Sequence, residues 1–432
     1  MPPRGHLRTS IADAGFRRLF AVRLLGQFGD GIFQASLAGV VLFNPERQAH
    51  AADVAAGFAV VLIPYSVIGP FAGVLLDRWR RQRVLVWANL LRTAWIAVVA
   101  VEIAAGVSGV AFYASALVIV SISRFVLSAL SASLPHVVSP DNLVTVNALS
   151  TTVGGITATI GGAAAIGVRS IIGSSGGDYA MLSLAAGLTY LIAASPGRGF
   201  DADALGPDDT ERERRETVSE VARGLVAGAR YLRAHRAAFA ALSAIAVHRV
   251  AYGVTVVCTL LLYRNYFHSS GVLRAGLGGL AQVVGAVAIG GGFAALVTPA
   301  AARRFGYVSW PALLLLVGAA VQIGLGLPYR LSLLLLDALV LGFVAQGIKI
   351  CVDTIVQRDI DDAYRGRVFA IYDAIFNVTL VVAAVLTAAV LPQNGHSPTS
   401  VVVIGVAYAL TAVGYRHWAG SRLSPALAQT TG

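Results

Sequence analysis

The chain has 432 residues, of which 56% are hydrophobic and 13% charged, and its formal net charge is +11. A soluble protein carries about a quarter charged residues, so this composition, with a mean hydropathy of +0.73, excludes an ordinary water-soluble globule. The positive balance alone would suit nucleic acid, but its placement along the chain assigns it to membrane orientation.

A membrane helix needs about 20 mostly apolar residues. In chain order such runs fall near 19–43, 54–76, 84–105, 109–133, 145–168 and 178–195. A polar stretch at 196–237 interrupts the series, and a second set falls near 238–263, 275–298, 308–327, 331–356, 366–391 and 399–416. The first run, with Asp30 at its middle, is too long and too polar for the core of a cleavable signal peptide. The expected organisation is a tail at 1–18, a six-helix bundle at 19–195, a linker at 196–237, a second bundle at 238–417 and a tail at 418–432. The fold class is an all-α membrane protein with 12 transmembrane helices.

The loops orient the chain. With the N-terminus inside, the inner segments hold twenty-three of the thirty-three basic residues, and the outer loops hold Arg47, Arg169, Arg264, Arg274 and Arg330. This bias places both termini in the cytoplasm and removes nucleic acid as a partner. The two cysteines, Cys258 and Cys351, lie in apolar runs without metal or disulfide spacing, and are expected as small buried hydrophobes. In the linker, "GRGFDADALGPDDTERERRE" is charged and turn-rich, which predicts a mobile segment. After it, Thr217 and Glu220 have capping-box spacing. Val218, Val221, Leu225, Ala229 and Leu232 then recur at helical spacing, predicting an amphipathic helix at the inner membrane surface.

Between spans 2 and 3 the chain reads "GVLLDRWRRQRVLV", with four arginines and one aspartate in seven residues. The six-plus-six plan with Gly73, Asp77, Arg78, Arg81 and Arg83 of this turn resembles the major facilitator superfamily. "TPAAARRFGYV" (298–308) resembles the weaker second copy of the motif, without its Asp. "DIDDAYRGRVFAIYDAI" before span 11 and the amphipathic linker helix resemble the exporter branch that includes enterobactin and macrolide efflux carriers. The resemblance implies two pseudo-symmetric bundles, a monomer in the inner (cytoplasmic) membrane, and no cofactor beyond a proton gradient. It also implies that Asp77 docks on the start of span 11, which assigns Gly73, Asp77, Arg78, Arg81, Arg83 and Asp373 to a cytoplasmic gate. One departure stands out. Antiporting members carry Gly-Pro then Gly-Gly in span 5, and here Gly161-Gly162 are preceded by Thr157-Ala158 where Gly-Pro would stand.

Ionisable groups buried in lipid are costly and usually face a bundle interior. In span 1, Arg23, Gln27, Asp30 and Gln34 step by one helical turn and share a face. Ser121, Arg124, Ser128 and Ser131 do so in span 4, as do His248, Tyr252, Thr255 and Thr259 in span 7, beside Arg249. In span 10 the series is Gly342, Gln346, Lys349 and Asp353. By resemblance, spans 1, 4, 7 and 10 line the transport pathway, and Arg124 loosely matches the family's proton-coupling Arg. Asp30 lies near the midplane, with Arg249 at similar depth in span 7 and Arg124 as the alternative partner. Desolvation favours the protonated form of a buried carboxyl, and a nearby cation favours the ionised form. A salt bridge that opens and closes would therefore couple proton movement to transport. Asn89 and Arg92 share a face of span 3, and Asp337 and Glu102, near outer ends, are expected to be solvated.

The expected function is a secondary transporter, a proton-coupled exporter of an amphipathic small molecule such as a drug or siderophore. A lysolipid or glycolipid flippase or a facilitator of the same superfamily is the alternative, and a membrane-embedded transferase a distant one, since no HExxH, GxSxG or paired catalytic acids point to an enzyme. Lys349 is the sole lysine. Buried lysine can lose its proton and arginine does not. A titrating Lys349 therefore predicts that Lys349→Arg loses transport, whereas an i, i+4 pair with Asp353 predicts normal transport, read as initial rates in proteoliposomes.

Overall fold

The computed structural model describes residues 13–43, 51–76, 78–173, 175–207, 217–267 and 276–420. Among them the first six helices are α1 (Ala14–Ala38), α2 (Ala51–Leu76), α3 (Arg81–Ala104), α4 (Val110–Ser133), α5 (Pro140–Ile172) and α6 (Gly176–Arg198). A shorter helix, α7 (Val218–Ala234), follows. The last six are α8 (Arg236–Asn265), α9 (Gly276–Phe305), α10 (Ser309–Val321), α11 (Leu331–Asp359), α12 (Asp362–Val390) and α13 (Pro398–Gly420). Spans 1–6 thus correspond to α1–α6 and spans 7–12 to α8–α13. The π-helical turns Gly39–Phe43 and Gln322–Gly326 extend α1 and α10.

Among the described residues, ten helices are long and apolar enough to cross a membrane, and α1 is less apolar than these. With 25 residues, α1 is about 37 Å long at about 1.5 Å per residue, enough to cross a hydrocarbon core of about 30 Å. Its own polar stripe, Arg23, Gln27, Asp30 and Gln34, lowers its hydropathy. α2 has 26 residues and Asp53 as its one charged residue.

The chain divides into two compact units, Met1–Ala49 with Ala59–Val221, and His50–Phe58 with Ala222–Gly432. In the first, glycines let helices touch backbone to backbone. A Cβ on Gly31 would collide with the Ala158 carbonyl, and one on Gly161 with the Phe28 carbonyl, so α1 and α5 interlock through both. α5 carries its one proline at its start, Pro140. Small residues therefore supply the close approach without a Gly-Pro kink. In the second unit, Gly290 abuts the Leu339 carbonyl and Gly342 the Val287 carbonyl, bringing α9 against α11 in the same way. Cys258 and Cys351 are both free and buried.

The first part of the linker differs from its expected mobility. Phe200 and Leu205 are buried in the cluster formed by Phe16, Leu19, Leu85 and Leu130. The Gly206 carbonyl accepts the Arg81 amide at 3.1 Å. Two apolar side chains within a charged run are enough to dock it; residues 208–216 lie outside the described set.

α7 starts where the spacing predicts. Thr217 N donates to Glu220 Oε2 at 2.6 Å and Glu220 N to Thr217 Oγ1 at 3.3 Å, a reciprocal cap. Its less exposed face packs on the first turns of α12. Gly224 and Gly228 sit against the Arg367 side chain, Leu232 is buried, and the Tyr231 ring stacks on Tyr364 at 4.1 Å. The Tyr231 hydroxyl donates to Asp361, whose carboxylate holds that phenol above its ordinary value.

Overpacking a tight contact costs about 1–3 kcal/mol. Gly161→Leu is expected to lower the unfolding temperature in detergent by several degrees. Gly155→Leu, on the same helix with nothing within 4 Å of the added carbon, is expected to leave it unchanged or higher.

Candidate functional site

Each unit holds one polar centre inside its helices. In the first, four helices converge on a single carboxylate oxygen. Arg92 of α3 is 1% exposed, and its Nη1 lies 3.1 Å from Asp30 Oδ1 on α1. The same nitrogen donates to Ser123 Oγ of α4 at 2.9 Å. Ser123 Oγ donates to Asp30 Oδ1 at 2.7 Å, and the Tyr190 hydroxyl of α6 donates to it at 2.9 Å. Arg92 Nη2 donates to Asn89 Oδ1, and the guanidinium lies 4.0 Å over the Tyr190 ring. Asn89 Nδ2 in turn donates to the Leu85 carbonyl at 2.6 Å. This network fixes both charges and, among the described residues, leaves Arg92 Nε as its one buried donor without a partner. The low dielectric that strengthens the network would penalise either charge left alone.

Glycines on α1 make room for this. A Cβ at Gly26 would lie 3.2 Å from Arg92 Nη2, and one at Gly29 would run into Thr189 and Tyr190. α3 and α6 can therefore close on Asp30 directly.

This corrects the pairing expected from sequence. Within its unit Asp30 is joined to Arg92 and not to Arg124, because α3 presents its Asn89–Arg92 face to the glycine face of α1. The neighbouring side chains Ser123 and Tyr190 were missed. Ser123 sits one position from Arg124, on the adjoining face of α4, and a tyrosine in an apolar run reads as core. Glycines at 26 and 29 beside an acid were the available signal.

The rest of the span-1 stripe is divided. Arg23 is buried and donates to Ser131 Oγ at 3.2 Å. Gln27 lies against Gly154 with its Oε1 unpartnered, and Gln34 is exposed. Arg124 is half-buried on α4.

In the second unit, α8, α9, α11 and α12 enclose a cavity of about 510 Å³. His248, Arg249, Tyr252, Gln346 and Lys349 all line it. Arg249 lies 3.7 Å over the Phe376 ring and donates from Nε to the Phe376 carbonyl at 3.1 Å. Among the described residues no carboxylate pairs with it. Lys349 Nζ is 2.8 Å from Asp353 Oδ2, the i, i+4 pair, and 6.0 Å from the Phe376 ring. His248 is 1% exposed, between the rings of Tyr252 and Tyr408, and among the described residues neither ring nitrogen has a hydrogen-bond partner. Gly291 and Gly292 of α9 give the opposite wall a flat apolar surface, and among the described residues no carboxylate lines the cavity.

Asp337 and Glu102 depart from the expected solvation. Asp337 is 3% exposed with Oδ1 unpartnered. Glu102 is half-buried and accepts the Ser115 hydroxyl at 2.8 Å. Asp337 sits more than a full turn inside α11, whereas Glu102 lies in the last turn of α3, where Ser115 of α4 meets it.

The residues of the α2–α3 turn separate. Arg81 is 2% exposed and donates to the carbonyls of Ala132 at 3.0 Å and Leu205 at 3.4 Å, tying the start of α3 to the end of α4 and to the docked linker. Arg78 and Arg83 are exposed. Gly73 lies in α2, Asp373 is exposed on α12, and Asp77 lies outside the described residues. Among the described residues no cluster of His, Cys, Asp and Glu could hold a metal ion.

The sequence pattern of the Major Facilitator Superfamily matches residues 19–384. An uncharacterized MFS-type transporter of Mycobacterium tuberculosis is 38% identical over 390 residues, covering 89% of this chain and 87% of its own length. One from Mycobacterium bovis matches to the same extent. Among solved structures, the nucleoside transporter NupG aligns over 94% of this chain and 100% of its own, with TM-score 0.68 and 15% identity. A bacterial homologue of the human lysosomal transporter Spinster aligns over 95% and 99%, with TM-score 0.61 and 14% identity. At these identities the structures share the fold.

Removing one partner of a buried ion pair costs about 3–5 kcal/mol. Arg92→Leu is expected to destabilise the protein by that order in denaturant unfolding in detergent. Asp30→Asn/Arg92→Leu is expected to recover part of the loss.

Proposed function

Because the chain belongs to the major facilitator superfamily of membrane transporters, we propose that it is a proton-coupled secondary carrier of an amphipathic small molecule bearing a negative charge. The observation that carries this reading is the cavity of the second unit, with Arg249 on its wall, Lys349 paired to Asp353 beside it, and no carboxylate among its described lining residues.

Arg249 presents a delocalised cation, stacked on Phe376 and, among the described residues, without a carboxylate partner. A guanidinium in that setting is suited to a carboxylate or phosphate. Tyr252 and Gln346 offer further polar groups, and the Gly291–Gly292 wall accepts a flat apolar portion. Asp30 is the coupling carboxylate in this reading. Protonating it removes the charge that holds Arg92 and weakens the hydrogen bonds from Ser123 and Tyr190, so the helices they sit on have a reason to shift. In alternating access the two bundles rock about a midplane site. Arg78, Arg81, Arg83 and Asp373, with Gly73 and Asp77, are the gate we assign on family resemblance. The direction we propose is export in exchange for protons, from the likeness of the α11–α12 loop and α7 to the exporter branch. A flippase of anionic lysolipids or glycolipids is the second reading, favoured by the same cations beside an apolar wall.

Proteoliposomes with an internal pH probe test these readings against amphipathic carboxylates, phosphate monoesters, amines and a fluorescent lysolipid. Anionic amphipaths are expected to drive proton movement opposite to their own, and amines none. Losing a hydrogen bond to a charged group is worth about 1.5–3 kcal/mol, so Arg249→Gln is expected to raise KM at least about tenfold. Asp30→Asn, checked for monodispersity, is expected to abolish the pH change. Equal transport of amines, or intact coupling in Asp30→Asn, would refute the proposal; lysolipid movement alone would select the flippase.

A further inference from the structure

A second cavity lies far along the chain from the one described, in the first unit. It has about 820 Å³ and opens between the end of α2, the first turns of α3 and the middle of α4. We propose that it is a binding site for one anionic phospholipid, retained independently of transport.

The lining changes character along its length. Arg78, Arg80 and Arg83 stand at the α2–α3 turn, with Trp79 and Trp87 beside them and Leu91 and Phe125 beyond. Arg83, Trp87 and Leu91 follow one another at i, i+4 and i+8 on α3, so about 12 Å separates the cation from the leucine. α3 is one of the helices long and apolar enough to cross a membrane, so its first turn lies at a membrane face. Charge at that face, indoles next and aliphatic surface deeper repeats the order of a phospholipid: phosphate, ester region, acyl chain. Tryptophan favours that middle zone, and basic side chains favour anionic headgroups.

Three observations separate this from an ordinary lipid-facing surface. The groove is concave, floored by Val84, Ala88 and Ile122 and walled by Trp79, which meets Phe125 edge-on at 6.2 Å. Its aromatic lining is open, with Trp79 52% and Trp87 67% exposed. Its cations are available: among the described residues neither Arg78 nor Arg83 has an ion pair or side-chain hydrogen bond, and Arg80 holds only Asp203, at 3.0 Å. Counting both Asp77 and Asp203 against Arg78, Arg80 and Arg83 still leaves positive charge at the turn. A zwitterionic headgroup would not neutralise it, and an anionic one would.

Native mass spectrometry of the detergent-purified protein tests the site, with phosphatidylglycerol, phosphatidylcholine and glycerol phosphate as probes. One phosphatidylglycerol is expected to bind at least tenfold more tightly than phosphatidylcholine, and glycerol phosphate not to bind. Arg78→Gln/Arg83→Gln is expected to remove that preference, and Arg303→Gln/Arg304→Gln, at the corresponding turn of the second unit, to keep it. Bromine-labelled phosphatidylglycerol is expected to quench Trp87, read as the difference between the protein and Trp87→Phe. Equal retention of the two lipids, an unchanged preference in the double variant, or no Trp87-dependent quenching would each overturn the proposal. Binding of glycerol phosphate alone would replace it with a free-phosphate site.

Discussion

The first unit is organised around a single oxygen atom. Asp30 Oδ1 accepts from Arg92, Ser123 and Tyr190, which lie on three different helices. An ionised carboxylate and a guanidinium inside a bundle are tolerable only when each is met by the other and by further donors. That requirement dictates the neighbourhood: glycines at 26 and 29 so that α3 and α6 can reach α1, a hydroxyl at 123, a phenol at 190. α1 itself gives up hydropathy to host the acid.

The second unit has the same kind of helix packing and the opposite electrostatics. Gly290 and Gly342 bring α9 and α11 together as Gly31 and Gly161 bring α1 and α5. Here, among the described residues, no carboxylate meets the half-buried Arg249. Arg249 rests on an aromatic face and a backbone carbonyl, which orient it and leave its charge intact. Two halves with one architecture thus hold their charge differently, one as a closed pair and one as an open cation.

The helices were legible because crossing a bilayer imposes a length and an apolar composition that sequence displays directly. Every described helix lies within a few residues of its expected run, and the Thr217–Glu220 cap was visible as a spacing. The cavity side chains of the second unit were also readable, since His248, Tyr252, Gln346 and Lys349 recur at one-turn intervals on their helices. The partner of Asp30 was not. Periodicity says which residues share a face and says nothing of which helix that face meets; Arg92 needed the packing of α3 on α1. The docked linker was missed for a related reason: Phe200 and Leu205 are two apolar residues in a charged stretch, too few to form a pattern.

That no carboxylate among the described residues offsets Arg249 has an electrical consequence. Arg249 sits near the middle of the 30-residue helix α8, where a net charge feels the transmembrane voltage, about 2.3 kcal/mol per elementary charge for each 100 mV crossed. Filled by the anion we propose, the cavity loses that charge; empty, it keeps it. The voltage would then act on the unloaded carrier and spare the loaded one, so the return stroke, and not the delivery of cargo, is the step a membrane potential can drive or hold back.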